Sequence, residues 1–556
     1  MIEKIHLNFG KSPDSDPLSF NPAPVNLIVG PNNSGKSLFL RELDTFLTGS
    51  SSNIISENFK VLKDIDYCKL SKSFESLISE IQLKPQINEY VDENNFMFFH
   101  NGTRNSGYLL EAKSAYEDPS QKQVFSKYFV SNKKIYLDGK NRLSSFDPVI
   151  YSFEADPYTP PSSLNKLVSS EACLSSFKDN ILSTFNLYPT IFLGTEGKIA
   201  LAISSEKIPE NFELCFKPEA QEYIQSHCSS GNNVGDGVKA YCGIALELIA
   251  GDPEVILLDE PEAFLHPPIA KKLGTFLSKT AHSEGKTIFV STHSSQFIMG
   301  CIESGVEINI LRLTYKNKVP TARFLDKTVL NDLAIDPLTR SSKVFDALFY
   351  QSVIVAEADS DRAFYEEINN RLQQFKPEWA IQDALFLNAQ NKQTVGRIVH
   401  PLRNLGIPAA SILDFDMIKD GGSDFSGYLR SCNIPRSSIS GYSQTKNSLY
   451  SLFSNDLNSM KTGGMNYLSP QDRLTATHFL KNLNEFGLFP VPCGELESWL
   501  SDISANKHGS KWLINKFQSM GSDPTDPNYV KPSNGDVWEF LYSIKKWLID
   551  PHRLGM

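Results

Sequence analysis

Two groups of residues in this sequence have the types and spacing that chemistry on phosphate requires. The first begins with GPNNSGKS, Gly30 to Ser37, which fits G-x-x-x-x-G-K-[ST]. Such a loop aims backbone N–H groups at phosphate oxygens from a helix start, with Gly30, Asn32, Asn33, Ser34 and Gly35 as the cradle. Lys36 is then placed for the β- and γ-phosphates and Ser37 for Mg²⁺. Further on, VILLDEPEAFLHP runs four apolar residues into Asp259 and Glu260. A buried strand ending in two carboxylates is costly unless a cation or hydrogen bonds compensate. Asp259 is placed to reach the Mg²⁺ through water, and Glu260 to polarise the water attacking a γ-phosphate. IFVSTHSSQF then puts His293 at the end of another apolar run, in position to touch the same phosphate.

The second group is acidic. SVIVAEADSDRAFYEEI places Glu357 after an apolar run, with Asp359 and Asp361 opening the next helix, where negative charge is favoured. E-x-x-x-D alone means little, since about two should occur by chance in a chain of this size. The context carries more weight: AASILDFDMIKD supplies a second apolar strand ending in Asp414 and Asp416. Read as strand residues two apart, both point to one face. Parallel strands carry their sites at the carboxyl edge, which would bring Glu357 beside Asp414. Like charges packed so closely repel strongly unless divalent metal neutralises them.

Positioning these residues needs strands that end at them. Val25 to Val29, Val255 to Leu258 and Thr287 to Val290 read as buried strands, and helical spacing follows the first at Leu38, Leu40, Leu43 and Leu47. Strand alternating with helix predicts α/β architecture with a mostly parallel sheet. From about 54 to 190 the chain is polar, rich in Ser, Asn and Lys, and reads as an inserted arm or cap, or a dimerisation region. After a junction near 326–345 a second α/β pattern starts with Val353 to Ala356, while 420–485 reads as loops and short helices. The expected divisions are therefore 1–53 with 190–335, the arm 54–189, and a second domain 340–556. At 556 residues, 40% hydrophobic and 21% charged, the chain is ordinary globular protein and not disordered or fibrous. No apolar run approaches bilayer length, and MIEKIHLNFG lacks the apolar core of a signal peptide. Eight scattered cysteines without a CxxC pair argue against zinc ribbons and disulfides, and the expected setting is cytoplasmic. With 54 basic and 64 acidic residues, net −10, a polyanion would need a local basic strip or metal ions.

The first group resembles the ABC-type ATPases, in their soluble branch of DNA-repair, SMC-like and defence enzymes. The resemblance makes GPNNSGKS the Walker A motif, VILLDE the Walker B and STHS the switch-histidine loop. It assigns the signature position to VGDGVKAY, with Gly235, Asp236, Gly237 and Lys239, where the two glycines would present N–H groups to a partner's γ-phosphate, and so implies a homodimer or tetramer through these domains. Glu262 and His266 would face the second subunit. LDGKNR, Leu137 to Arg142, reads either as a nucleotide-sensing loop or as a surface hairpin turn.

The acidic group resembles the TOPRIM fold, and ATPase followed by TOPRIM is the arrangement of the OLD (overcoming lysogenization defect) nucleases, including those of Gabija-type defence. The resemblance covers nearly all the chain except 54–190. It implies Mg²⁺ or Mn²⁺ bound by Glu357, Asp361, Asp414, Asp416 and a late glutamate, Glu497 or its competitor Glu495. Catalysis would fall to Glu357, Asp414 and Asp416, beside Glu260 and His293 of the ATPase. Ala358 stands where the family has Gly, and Lys511 or Lys507 would be its late basic residue. The function implied is an ATP-regulated endonuclease in anti-phage defence, cutting DNA rather than RNA, alone, with a helicase or with a retron reverse transcriptase complex. The alternative is an ATP-driven clamp or scaffold with an inactive TOPRIM domain.

Overall fold

The computed structural model describes residues 1–49, 59–86, 89–100, 103–151, 162–193, 197–209, 212, 217–316, 318–337, 343–453, 456–503 and 510–556. The chain divides into two units, Met1–Leu325 and Asp326–Met556. Helix Lys327–Ile335, capped by the Asp326 side chain, thus belongs to the second unit, although it was expected with the first.

The first unit is built on β1 (Ile2–Leu7), β2 (Val25–Val29), α1 (Lys36–Thr48), β3 (Leu62–Tyr67), β4 (Lys134–Leu137), α2 (Asp236–Ile249) and β5 (Val255–Asp259). It continues through α3 (Pro267–Ser283), β6 (Thr287–Ser291), α4 (Ser295–Glu303), β7 (Ile308–Lys316) and β8 (Val319–Phe324). Six strands form one sheet in the order β8-β7-β2-β6-β5-β4, parallel except for the β7–β8 hairpin. All five residues of β2 are buried, as a continuous apolar run in a covered parallel sheet requires. The register sets Ser291 beside Ile28 on one side and Asp259 on the other. The carboxyl ends of β2, β6 and β5 therefore lie side by side, which is where a parallel sheet carries its ligands.

The segment 54–189 is not wholly an inserted arm. β3 pairs antiparallel with β1, and β4 is the edge strand beside β5. Phe96, Phe98, Phe125 and Tyr128 share one apolar core with Leu40, Leu43 and Leu47 of α1. The polar composition hid this because the buried residues are few per strand, as in LKDIDY, where Leu62, Ile65 and Tyr67 alone are buried.

The second unit runs β9 (Ser352–Ala356), α5 (Asp359–Phe375), β10 (Ala384–Asn388), α6 (Lys392–Asn404), β11 (Ala409–Leu413) and α7 (Gly422–Ser431). Then come α8 (Arg436–Ser451), α9 (Pro470–Asn484), β12 (Leu488–Pro490), α10 (Ser510–Met520) and α11 (Asp536–Ile549). Its four strands are all parallel, in the order β10-β9-β11-β12. One face packs Phe364 and Ile368 of α5 with Trp512, Trp538 and Leu541. The other takes the buried Val395, Ile398, Val399 and Leu402 of α6. The region 420–485, read as loops and short helices, holds in α8 and α9 helices of 16 and 15 residues. Ser469 caps α9, and Ala476, Phe479, Leu480 and Leu483 bury one side of it, a stripe that the surrounding Ser and Asn residues disguised. No helix among the described residues is long and apolar enough to cross a membrane.

Candidate nucleotide site and carboxylate cluster

The turn from β2 into α1 depends on two glycines. At Gly30 (φ 143°) a Cβ would stand 2.0 Å from the Leu313 carbonyl oxygen, and Gly35 takes φ 96° to start the helix. Both conformations are open to glycine and strained for other residues. Lys36, buried, folds back so that its Nζ donates to the carbonyls of Gly30 (2.9 Å) and Pro31 (2.8 Å). Ser37 Oγ donates to Asp259 Oδ1 at 3.0 Å, and Ser291 Oγ donates to the same oxygen. Asn32 to Ser37, Glu260 and His293 line one cavity of about 830 Å³. Glu260 is turned there by a positive φ of 50°, with its N–H on the Ser291 carbonyl. His293 Nε2 lies 3.6 Å from Glu260 Oε1. Burial, with the Lys36 ammonium beside it, lowers the imidazole to about 4, so it is neutral at pH 7. A Mg²⁺ ion suits this place: hydroxyl and carboxylate oxygens of Ser37 and Asp259 are hard donors already in contact.

Phe59, Tyr315 and Arg41 at this site gave no sequence signal, whereas Arg142 lies in the LDGKNR stretch singled out above. Phe59 and Tyr315 stack at 4.4 Å between ring centroids and, with Arg41, complete the cavity wall. Phe59 stands alone in polar sequence and Tyr315 closes an unremarked strand. Arg142, 1% exposed, donates from Nη1 to the carbonyls of Asp259 (2.6 Å) and Glu260 (2.9 Å). LDGKNR is accordingly no hairpin: β4 runs into a 3₁₀ helix, Asn141–Phe146. Glu262, expected at a subunit face, turns its carboxylate inward instead. Its Oε1 accepts from Thr292 Oγ1 and His293 N, both at 2.8 Å. Burial raises its pKa. His266 is exposed at the start of α3. Gly235 caps α2 facing open space, while Gly237 packs against the Phe264 carbonyl and Lys239 lies 3.7 Å from Asp236. None of these signature residues lines the cavity of its own chain.

At the second sheet, β9 delivers Glu357 and β11 delivers Asp414. Glu357 Oε1 accepts the Asp414 N–H at 2.7 Å, which ties the two strand ends together. Burial raises the pKa of both, with repulsion from Asp361 and Asp416 adding to it on each and from Glu357 on Asp414. Asp361, in the first turn of α5, is pushed up to about 6 by burial, with Glu497 adding repulsion. Glu495 acts on Asp414 in the same sense, so the two late glutamates flank the cluster on different members. Ala358 caps α5 at φ −130°, ordinary extended backbone in which alanine is unstrained.

Asp416 departs from expectation. β11 ends at Leu413 and the chain tightens into a 3₁₀ helix, Phe415–Lys419, so the strand alternation assumed for Asp414 and Asp416 does not apply. Lys392 Nζ lies 2.8 Å from Asp416 Oδ1 and Lys419 Nζ 2.8 Å from Oδ2, with Lys461 at 3.7 Å. Burial alone would raise Asp416, yet these ammoniums hold it below the usual carboxylate range. As the side chains stand, no group of three or more His, Cys, Asp or Glu among the described residues is arranged to hold a metal ion. The donor chemistry nonetheless fits a hard divalent cation at Glu357, Asp361 and Asp414, which are oxygen ligands whose charged form burial penalises. Lys511 is exposed at the start of α10; Lys507 lies outside the described residues.

A family model described as "AAA domain, putative AbiEii toxin, Type IV TA system" matches residues 231–299, a stretch that includes α2, Asp259, Glu260 and His293. The bacitracin transport ATP-binding protein BcrA of Enterococcus faecalis is 35% identical over 91 residues, 15% of this chain. The match spans 29% of that protein's own length. Among solved structures, an SMC head bound to the C-winged helix domain of ScpA is similar at 13% identity and TM-score 0.35, over 59% of this chain and 99% of that one. The SMC head domain from Thermotoga maritima gives 13% identity and TM-score 0.28, over 58% and 99%. The family match and the curated relative identify an ATP-binding, ATP-hydrolysing domain of ABC-like type in this chain.

Proposed function

We propose that this protein is an ATP-regulated nuclease of the OLD kind, in which the ATPase governs a TOPRIM-like, divalent-metal-dependent centre that cuts phosphodiester bonds in defence against phage. One observation carries the proposal: Glu357, Asp361 and Asp414 converge, largely buried, at the carboxyl edge of a parallel sheet, with their protonation raised by burial and mutual repulsion. Such a cluster is unfavourable at neutral pH unless a cation joins it. The matched family's description names a toxin, and a nuclease released on a trigger would be toxic to its own cell.

On the ATPase side, Lys36 and the loop N–H groups bind the phosphates, and Ser37 and Asp259 would hold Mg²⁺. Glu260 orients the attacking water and takes its proton, while the neutral His293 hydrogen-bonds the γ-phosphate. At the second centre, Glu357, Asp361 and Asp414, with Glu495 or Glu497, would hold the divalent ion, which supplies Lewis-acid polarisation of the phosphodiester. Lys392, Lys419 and Lys461 present positive charge on the Asp416 side, toward the substrate's phosphates. In this reading Asp416 holds lysines and does not bind metal.

A second reading, a nucleotide-driven clamp with a silent second domain, is favoured by the lysine-held Asp416 and by the absence of a formed metal group among the described residues. Plasmid nicking separates the two. The purified chain is expected to cut with Mg²⁺ or Mn²⁺, and Asp414→Ala to stop it. Equal cutting by both would assign the activity elsewhere, and no cutting by wild type on DNA or RNA, with or without ATP, would leave the clamp.

A further inference from the structure

A chain of net charge −10 holds a nucleic acid only through a local concentration of cations. One such place opens between α6 and α7, where a hollow of about 350 Å³ is lined by Arg397 and His400 from one helix and Arg430 from the other. Arg397 and His400 stand three residues apart and so share a face of α6. Gly396 lets α7 approach that face, since a Cβ there would lie 2.9 Å from Ser431 Cβ. All three basic side chains are exposed. Among the described residues neither guanidinium is held in an ion pair, and Asp424 is the one carboxylate in the lining.

The hollow is joined to the carboxylate cluster by contacts between side chains. Tyr428, in its wall, donates its hydroxyl to Asp420 Oδ2 at 2.8 Å. Asp420 Oδ1 lies 3.1 Å from Lys392 Nζ, which is 2.8 Å from Asp416 Oδ1. Lys419 and Lys461 continue the positive charge on the other oxygen of Asp416. A largely buried chain of Tyr428, Asp420 and Lys392 thus links the wall of the hollow to Asp416.

We propose that this hollow is a binding site for the phosphodiester backbone of nucleic acid, seating the strand through the exposed Arg397 and Arg430. The assignment rests on the nuclease reading for its purpose, but its test does not require cutting. Backbone charge is recognised here and no base edge is read, so DNA and RNA differ little at this site.

Binding of fluorescent single- and double-stranded DNA and RNA oligonucleotides is measured by anisotropy in EDTA across a salt series. The proteins are full-length wild type, Arg397→Gln/Arg430→Gln, and the charge-matched control Lys481→Gln/Lys531→Gln. The arginine pair is expected to lose affinity about tenfold or more at low salt and to flatten the slope of log K against log salt by about 1.5–2, with ATP hydrolysis and melting unchanged. The control should keep the wild-type slope. Wild-type affinity and slope in the arginine pair would overturn the hollow as the site and leave the nuclease reading standing. No binding of any oligonucleotide by wild type would remove both.

Discussion

His293 and Asp361 show how position decides chemistry for a single side chain. A histidine at the surface would be partly charged at neutral pH, but burial beside Lys36 keeps this imidazole neutral, suited to hydrogen-bonding a phosphate without pairing with Glu260. Lys36→Ala is expected to abolish ATP binding, whereas Glu260→Gln should bind ATP and lose hydrolysis by about 100-fold or more. Hydrolysis unchanged in Glu260→Gln would remove its role as base. Asp361 titrates the other way. Its folded-state pKa is raised to about 6, so its contribution to stability is full at low pH and is lost as pH rises through that value. The loss amounts to roughly 3 kcal/mol between about pH 4 and pH 7. In EDTA, denaturant melts of wild type and Asp361→Asn should therefore diverge across that range, the variant showing the flatter profile. Parallel profiles would mean that Asp361 is not held in a charge-hostile site. The loop residues Gly30 to Ser37 were legible because each has a fixed duty at a fixed spacing. Lys392 and Lys419 were not, because a lysine in a helix or turn has the same appearance whether it faces water or a buried carboxylate.

At the level of elements, the ends of strands do the positioning, and apolar runs mark those ends well. β2, β5, β6, β9 and β11 all lie where continuous apolar stretches placed them, since a strand covered on both faces can be little else. What such runs do not show is the backbone just beyond them. The 3₁₀ helix at Phe415–Lys419 turns Asp416 toward Lys392 and Lys419, and only the fold reveals which segment meets it. The same holds for β4 and the 3₁₀ helix after it, which bring Arg142 under the carbonyls of Asp259 and Glu260. Nη1 makes both bonds, and they fix a backbone that carries Glu260 at positive φ. Arg142→Met keeps much of the side chain's length but removes both donations. It is expected to lower kcat for ATP about tenfold with KM little changed, and a wild-type kcat in a folded Arg142→Met protein would reduce the residue to packing.

Across the whole molecule, negative charge is general and positive charge is local, and both candidate sites lie at the carboxyl edges of parallel strands. Composition pointed to either a basic strip or metal for any polyanion, but it could not locate one, because the cations come from helices far apart in sequence. It also missed that residues 62–67 and 134–137 build sheet in the first unit, since their apolar content is low. The nuclease proposal requires Glu357, Asp361 and Asp414 to form a divalent-cation site, and Mn²⁺ binding by the nucleotide-free full-length chain, followed by electron paramagnetic resonance, tests this most directly. Wild type should take up Mn²⁺ at pH 8 and release it toward pH 5 as the carboxylates protonate, and Asp414→Asn should lose that uptake. Equal Mn²⁺ binding by wild type and Asp414→Asn, or none by wild type, would contradict it.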